Sequence, residues 1–177
     1  MADRSAPSDA RNASAEGLKL LGVTFAHCGL LARLHGLCFE DGWNAATVAQ
    51  VLRLTGAFGL LATFPERPRA AAVASADAQT PVGFALVAGT LDERELLSLG
   101  VVPAYRRRGV ARALIETVFE RVRAEGVVRL YLEVAEDNDD ARRLYKALGF
   151  EAIGRRPGYY ARHNEPAVAA ITLARSL

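Results

Sequence analysis

Arg106-Arg107-Arg108-Gly109-Val110-Ala111 is the stretch whose reading decides the fold. It stands between a strand-like apolar run at residues 95–102 and a long helical pattern that begins at Val110. A helix start presents backbone N–H groups with no partner inside the helix, together with a partial positive charge. Gly109 has no β-carbon and lets a ligand approach the backbone. Between a strand and a helix, such a turn is a cradle for phosphate oxygens. The Gly-Lys-Ser/Thr ending of a nucleotide-triphosphate loop is missing, and G-x-G-x-x-G is missing too, so both nucleotide readings lack support. The plain alternative is a solvated arginine cluster at a helix start; the position between strand and helix favours the anion site.

Working outward, apolar residues at Val110, Ala111, Leu114, Ile115, Val118, Phe119 and Val122 trace one helical face, which Gly126 ends. A strand is expected over 129–134. Asn138 can cap the next helix, with Asp139 and Asp140 in its first turn, where acidic groups suit the dipole. Ala141, Leu144, Tyr145 and Leu148 form that helix's stripe, Gly149 stops it, and Phe150 begins a return strand. The last strand is expected over 167–173. Upstream, strands are expected over 19–24, 58–64 and 82–88, and helices over 26–37 and 45–54, the second capped by Asn44. Residues 38–44 read as a loop carrying Trp43. Residues 65–81, with three prolines, read as another loop, and 89–94 as a hairpin connection. Helices and strands alternate, but the hairpin calls for a mixed sheet, so the expected class is α/β (α+β).

Composition limits the function. A chain of 177 residues with 51% hydrophobic and 24% charged residues suits one globular domain. The net charge is only +2, which is no nucleic-acid footprint. The only lysines are Lys19 and Lys146, so arginine is the default surface cation. Cys28 and Cys38 fit no zinc or redox spacing and are expected to be buried, reduced thiols. No metal set is visible. Residues 1–17 lack the apolar core of a signal peptide and are expected to be disordered, leaving a domain over 18–177. The apolar run at 57–64 is far shorter than the ~20 residues of a membrane helix. A soluble cytoplasmic protein without a membrane partner is expected. No oligomeric state follows, and a monomer is compatible.

The arginine-glycine loop resembles the R/Q-x-x-G-x-G/A pyrophosphate loop of the GNAT superfamily of N-acetyltransferases, through Arg106, Gly109 and Ala111. That resemblance implies one domain with a twisted, mixed, mostly antiparallel sheet of about six to seven strands flanked by about four helices. It implies acetyl-CoA as cosubstrate, held by Arg106, Arg107, Arg108, Gly109, Val110, Ala111 and Arg112. Residues 97–101 resemble the family's splayed fourth strand, so Leu99, Gly100 and Val101 are expected along the pantetheine arm and the acetyl carbonyl.

Leu132-Glu133-Val134, Asn138, Leu144-Tyr145 and Leu148-Gly149-Phe150 resemble, more closely, the bacterial RimI group, which acetylates the N-terminal alanine of a small-subunit ribosomal protein. By that resemblance Glu133 is the general base, Tyr145 the acid, and Asn138 a further cofactor contact. The chemistry suits them. An α-amino group with pKa near ~8 must lose a proton to attack a thioester, and a carboxylate can take it. A phenol with pKa ~10 keeps its proton at neutral pH and can give it to the leaving thiolate. The plain readings are an ion-paired Glu133, a core Tyr145 and an Asn138 that only caps. On the acceptor side, Trp43 and the Tyr159-Tyr160 pair after Arg156 resemble peptide-binding segments, with Asn44 where many RimI-like chains have serine. Ala169 departs from the acidic residue such chains carry before the last strand's apolar run. Two further readings stand beside peptide acetylation: a GNAT enzyme acting on a small amine or antibiotic, and a non-catalytic acetyl-CoA-binding module. The presence of both Glu133 and Tyr145 argues against the latter.

Overall fold

The computed structural model describes residues 16–65, 79–90, 92–162 and 165–177. Seven strands, β1 (Lys19–Gly22), β2 (Phe58–Pro65), β3 (Gln79–Gly89), β4 (Glu93–Val101), β5 (Arg129–Ala135), β6 (Glu151–Arg162) and β7 (Glu165–Ser176), form one sheet. Its order is β1-β2-β3-β4-β5-β7-β6. All neighbours are antiparallel except β4 and β5, which are parallel. The helices are α1 (Cys28–Cys38), α2 (Ala45–Val51), α3 (Val110–Ala124) and α4 (Asp139–Ala147). The mixed, mostly antiparallel sheet with flanking helices is the expected architecture.

Local chemistry sets the helix ends. Asn44 Oδ1 accepts the Thr47 N–H at 2.9 Å and Asn138 Oδ1 accepts the Ala141 N–H at 3.1 Å, as each cap was expected to do. At the end of α3, the Val127 N–H returns to the Val122 carbonyl and the Gly126 N–H to that of Arg123, both at 3.0 Å. Gly126, at φ 79°, supplies the left-handed residue this closure requires. Val110, Leu114, Ile115, Val118, Phe119 and Val122 are all buried, joining the core on one face of the sheet with Leu96, Leu130, Leu132 and Val134. Leu31 and Leu34 of α1, Val48 of α2 and Phe84 and Leu86 of β3 form the core on the other face.

Several boundaries differ from the sequence reading. α2 ends at Val51, short of residue 54. β3 starts at Gln79, inside the expected loop, and passes through Pro81. Pro81 pairs with Thr63 of β2 at a register shift, and β4 joins β3 only from Gly83 onward, so the missing proline N–H breaks no ladder on that side. β6 runs through Pro157 and Gly158 to Arg162, with register shifts between Ala152 and Gly154, Arg156 and Tyr160, and Tyr160 and Arg162. Cys38 is half-buried rather than buried like Cys28. Of residues 1–17, expected to be disordered, 1–15 lie outside the described residues, as do 66–78 of the proline-rich loop, whereas Glu16 and Gly17 form a turn before β1. Among the described residues no helix is long and apolar enough to cross a membrane.

Two features of β4 position the site. Its pairing with β5 covers only Glu93 with Arg129, Arg94 with Leu130 and Glu95 with Tyr131. Beyond Glu95 the two strands no longer pair, and among the described residues 96–101 have no strand partner on that edge. The second feature is a bulge. Leu86 pairs with Ser98 and Val87 with Leu96, so Leu97 is extra. The bulge reverses which residues face which helix layer. Leu99 and Val101 pack against the α3 core. Gly100 faces α1, where a β-carbon would sit 2.6 Å from the Phe84 ring and 3.1 Å from Cys38 Sγ. Past the bulge, Leu96 joins the α3 core and Glu95 turns to the α1 face. At the closed end of the strands, buried Arg94 donates to Glu125 at 3.1 Å and ties β4 to the end of α3.

Candidate active site

One side of the β4–β5 gap carries the expected anion loop. Arg106 Nε donates to the Val101 carbonyl at 3.1 Å and folds the loop back on the strand end. Arg107 at φ 64° and Gly109 at φ 80° both take left-handed backbone, which turns the chain sharply into α3. The first bond of α3 runs from the Ala113 N–H to the Gly109 carbonyl, 3.0 Å. The N–H groups of Val110, Ala111 and Arg112 therefore precede the helical ladder. The arginine side chains have protein partners. Arg107 pairs with Asp140 at 3.4 Å, Arg112 with Glu116 at 3.2 Å, and Arg108 lies 5.2 Å from the Tyr105 ring centre. The exposed Arg107–Asp140 pair spans the loop before α3 and the first turn of α4, which Asn138 caps.

The other side is a cleft of about 420 Å³ lined by Glu95, Tyr131, Leu132, Glu133, Arg156, Tyr159 and Thr172. Glu133 projects from β5 opposite Thr172 of β7. Arg156 Nη1 donates to Glu133 Oε1 at 2.8 Å, and its guanidinium lies 4.2 Å from the Tyr159 ring centre. Tyr159 and Tyr160 meet edge to face, 5.0 Å apart. The hydrogen bond to Glu133 and its negative charge hold the Tyr159 phenol above its ordinary range. Burial, then Glu133, does the same to Tyr160. Glu133 is therefore both ion-paired, as the plain reading had it, and on the wall of a cleft.

Tyr145 is 7% exposed and lies edge-on to Phe150, ring centres 5.6 Å apart. It is a core residue. Burial first, and Tyr160 second, push its phenol well above the usual tyrosine range, so it keeps its proton at neutral pH. Trp43 is not among the cleft's lining residues. It stacks instead on His35 of α1, ring centres 4.7 Å apart, in the core on the α1 face of the sheet.

The sequence reading missed Glu95. Its carboxyl is raised above the usual carboxylate range by desolvation, then by the charge of Glu133, against the opposing effect of Arg156. Glu95 follows Glu93 and Arg94, and the Leu96-Leu97 doublet breaks the polar–apolar alternation of the strand. The bulge at this doublet, with Leu97 extra, turns Glu95 to the face that carries Glu133. Among the described residues no group of His, Cys, Asp or Glu could hold a metal ion.

This geometry, a strand pair open on one side with an anion cradle and an acidic cleft about the gap, coincides with a family match. The model of the acetyltransferase (GNAT) family matches residues 31–150. The chain belongs to the GNAT family. The matched region takes in β4, the loop at 106–111, Glu133 and Tyr145, and leaves Tyr159 and Tyr160 beyond its end. Among relatives, the ribosomal protein bS18-alanine N-acetyltransferase of Haemophilus ducreyi is 37% identical over 79 residues, 45% of this chain and 54% of its own. That of Escherichia coli K12 is 40% identical over 77 residues, 44% of this chain and 52% of its own. The N-alpha-acetyltransferase RimI of Mycobacterium tuberculosis is 46% identical over 68 residues, 38% of this chain and 41% of its own. The chain thus spans about half the length of the curated relatives it matches. In fold, the ribosomal-protein-alanine N-acetyltransferase of E. coli superposes with a TM-score of 0.73 at 24% identity, over 90% of this chain and 93% of that one. Ard1 of Thermoplasma volcanium gives 0.75 at 22% identity, over 91% and 98%. The GNAT fold therefore extends across nearly the whole chain, although the curated sequence matches cover less than half of it.

Proposed function

We propose that this GNAT protein transfers the acetyl group of acetyl-CoA to the N-terminal α-amine of a protein, and that its acceptor is the N-terminal alanine of a small-subunit ribosomal protein. The observation that carries this reading is the end of β4–β5 pairing at Glu95 and Tyr131. It frees the backbone edge of Leu99, Gly100 and Val101 to pair with an extended pantetheine arm. The N–H groups at 110–112 take the pyrophosphate at the start of α3, with Arg106, Arg107, Arg108, Gly109 and Asn138 around them. The acceptor amine enters from the cleft of Glu95, Glu133, Tyr159 and Tyr160.

In the reaction the amine nitrogen bonds to the thioester carbonyl carbon, and the C–S bond then breaks. Glu133 takes the proton that the amine loses, directly or through water. Tyr145 gives its phenolic proton to the departing thiolate, and solvent restores it. The bS18-alanine names of the sequence relatives support the ribosomal acceptor. Ribosomal protein as acceptor places the reaction in the cytoplasm. A small-amine acceptor is favoured by one observation: Ala169 is buried in β7 and presents no acid to the cleft. The paired carboxylates and the buried phenol argue for catalysis over mere binding of acetyl-CoA.

The cofactor half is tested by melting. Acetyl-CoA raises the melting temperature because it binds the native state alone, while ATP and NADH do so far less. Gly109→Val abolishes the acetyl-CoA shift, since φ 80° and close backbone approach both exclude a branched side chain. Equal stabilisation by ATP, or an unchanged acetyl-CoA shift in a folded Gly109→Val variant, contradicts the assignment.

A further inference from the structure

Asp140, in the first turn of α4, meets two arginines with a single oxygen. Arg143 Nη2 donates to Asp140 Oδ1 at 2.5 Å, and Arg107 Nη1 donates to the same Oδ1 at 3.4 Å. Arg107 belongs to the anion loop, and Arg143 lies one turn further along α4. The hydrogen bond and charge of Arg143, then the charges of Arg107 and Arg106, hold the Asp140 carboxyl below the usual carboxylate range, against the opposing effect of desolvation. The protein thus supplies its own anion to the cations of the loop. One oxygen shared by two guanidiniums is also the arrangement that a phosphate oxygen adopts among arginines.

The neighbouring arginines are engaged elsewhere. Arg106 is turned to the Val101 carbonyl, and Arg112 pairs with Glu116. Arg142 donates to the Glu136 carbonyl at 2.9 Å and lies 3.7 Å from Asp139. Among the described residues, the ion pairs of Arg107 and Arg143 are both made with Asp140. The three side chains are 84%, 68% and 71% exposed, respectively, so each faces water. Exposed ion pairs add little stability and open readily. This contact is therefore suited to exchanging partners rather than to fastening α4 to the loop. A carboxylate at this place also repels each phosphate charge that enters the loop, and those repulsions add. Their sum outweighs the weak help that Asp140 gives in orienting Arg107 and Arg143, so its net effect on a polyphosphate ligand is to weaken binding.

We propose that Asp140 is an intramolecular stand-in for a cofactor phosphate: it occupies Arg107 and Arg143 in the cofactor-free protein, yields them when acetyl-CoA binds, and takes them back as CoA leaves. This rests on the reading of residues 106–112 as the pyrophosphate site. Asp140 touches no reacting atom and acts through the two arginines. Product CoA is thereby held less tightly than the cations of the loop would hold it alone.

Calorimetry of CoA and acetyl-CoA binding to the full chain tests this. Asp140→Asn keeps the size of the side chain and removes its charge. It is expected to lower the Kd of both ligands about fivefold. Asp139→Asn is the control: Asp139 stands in the same turn, is equally exposed at 71% and pairs with Arg142 instead. Its Kd is expected to change less than about twofold. In a chain carrying Arg107→Gln and Arg143→Gln, adding Asp140→Asn is expected to bring no gain, because the arginines that it would free are gone. A folded Asp140→Asn protein with unchanged or weaker CoA binding overturns the proposal. So does equal tightening by Asp139→Asn, which makes the effect one of net charge, or a gain that survives without the two arginines. If Asp140→Asn does not fold, Asp140→Ser, another residue suited to a helix start, is measured in its place; failure of both to fold makes the carboxylate structural and sinks the idea. Gly109→Val separates the two readings. If it leaves CoA binding unchanged, the pyrophosphate site itself is misplaced. If it abolishes binding while Asp140→Asn brings no tightening, only the stand-in role fails.

Discussion

Arg156 of β6 reaches across β7 to donate a 2.8 Å hydrogen bond to Glu133 of β5. The ladder with β7 shifts register across Pro157 and Gly158, between the pairs Arg156–Ala170 and Tyr160–Val168. Glu133 is left 17% exposed, held by Arg156 on the wall of the cleft that it shares with Glu95. An ion pair of this kind orients a carboxylate without removing it from reach of a substrate.

If Glu133 takes the amine's proton, Glu133→Gln lowers turnover by about 10²–10⁴-fold at neutral pH. Acetyl-CoA affinity, read by calorimetry, stays near wild type. Raising the pH recovers part of the rate by supplying neutral amine from solution. Wild-type turnover in the variant assigns proton removal to solvent or to another group.

Glu95 gives a prediction with opposite signs for stability and binding. Its proton affinity is higher in the folded protein than in the unfolded chain. Folding is therefore aided by the bound proton at low pH, and that aid is lost as pH rises through the folded pKa. Glu95→Gln should raise the melting temperature slightly at pH 7–8, with the gain vanishing below the usual carboxylate range near ~4.5. The same variant should raise the peptide KM about fivefold, because an ammonium entering the cleft meets one carboxylate fewer. A variant with lower stability at neutral pH and unchanged KM makes Glu95 a structural residue.

Tyr145 joins two readings, since the structure places it in the core and also keeps its phenol protonated. Tyr145→Phe preserves the ring against Phe150, so melting temperature and acetyl-CoA binding should hold. Turnover should fall by roughly 10²-fold or more if the hydroxyl protonates the thiolate. A fluorinated thioester with a more acidic thiol should suffer less. Full activity in the phenylalanine variant returns Tyr145 to packing alone.

Most of this fold is visible in the sequence because local signals and tertiary packing agree. The apolar stripe from Val110 to Val122, the caps Asn44 and Asn138, and the stop at Gly126 each depend on neighbours a few residues away. The anion loop is legible for the same reason, since Gly109 must serve both a sharp turn and a ligand's approach. What stays hidden depends on long-range register. Which residue of the Leu96-Leu97 doublet is extra is known only from the pairing of Ser98 with Leu86 and of Leu96 with Val87, so the facing of Glu95 toward Glu133 is not read from the sequence. Arg156 meets Glu133 only because β7 lies between their strands. The same limit applies to Trp43, whose stacking on His35 spans a loop with no periodic pattern.

The central claim is transfer of acetyl to an α-amine, and mass spectrometry tests it most directly. The protein is incubated with acetyl-CoA and a panel of Ala-starting peptides, internal-lysine peptides blocked at the N-terminus, and small amines, and the modified nitrogen is located by fragmentation. The account predicts acetyl on the α-nitrogen of the Ala-starting peptide, with blocked lysine peptides left unmodified. Lysine is the harder target because its pKa near ~10.4 leaves little neutral amine at pH 7. Acetyl found only on lysine side chains or small amines, or on no acceptor at all, contradicts it.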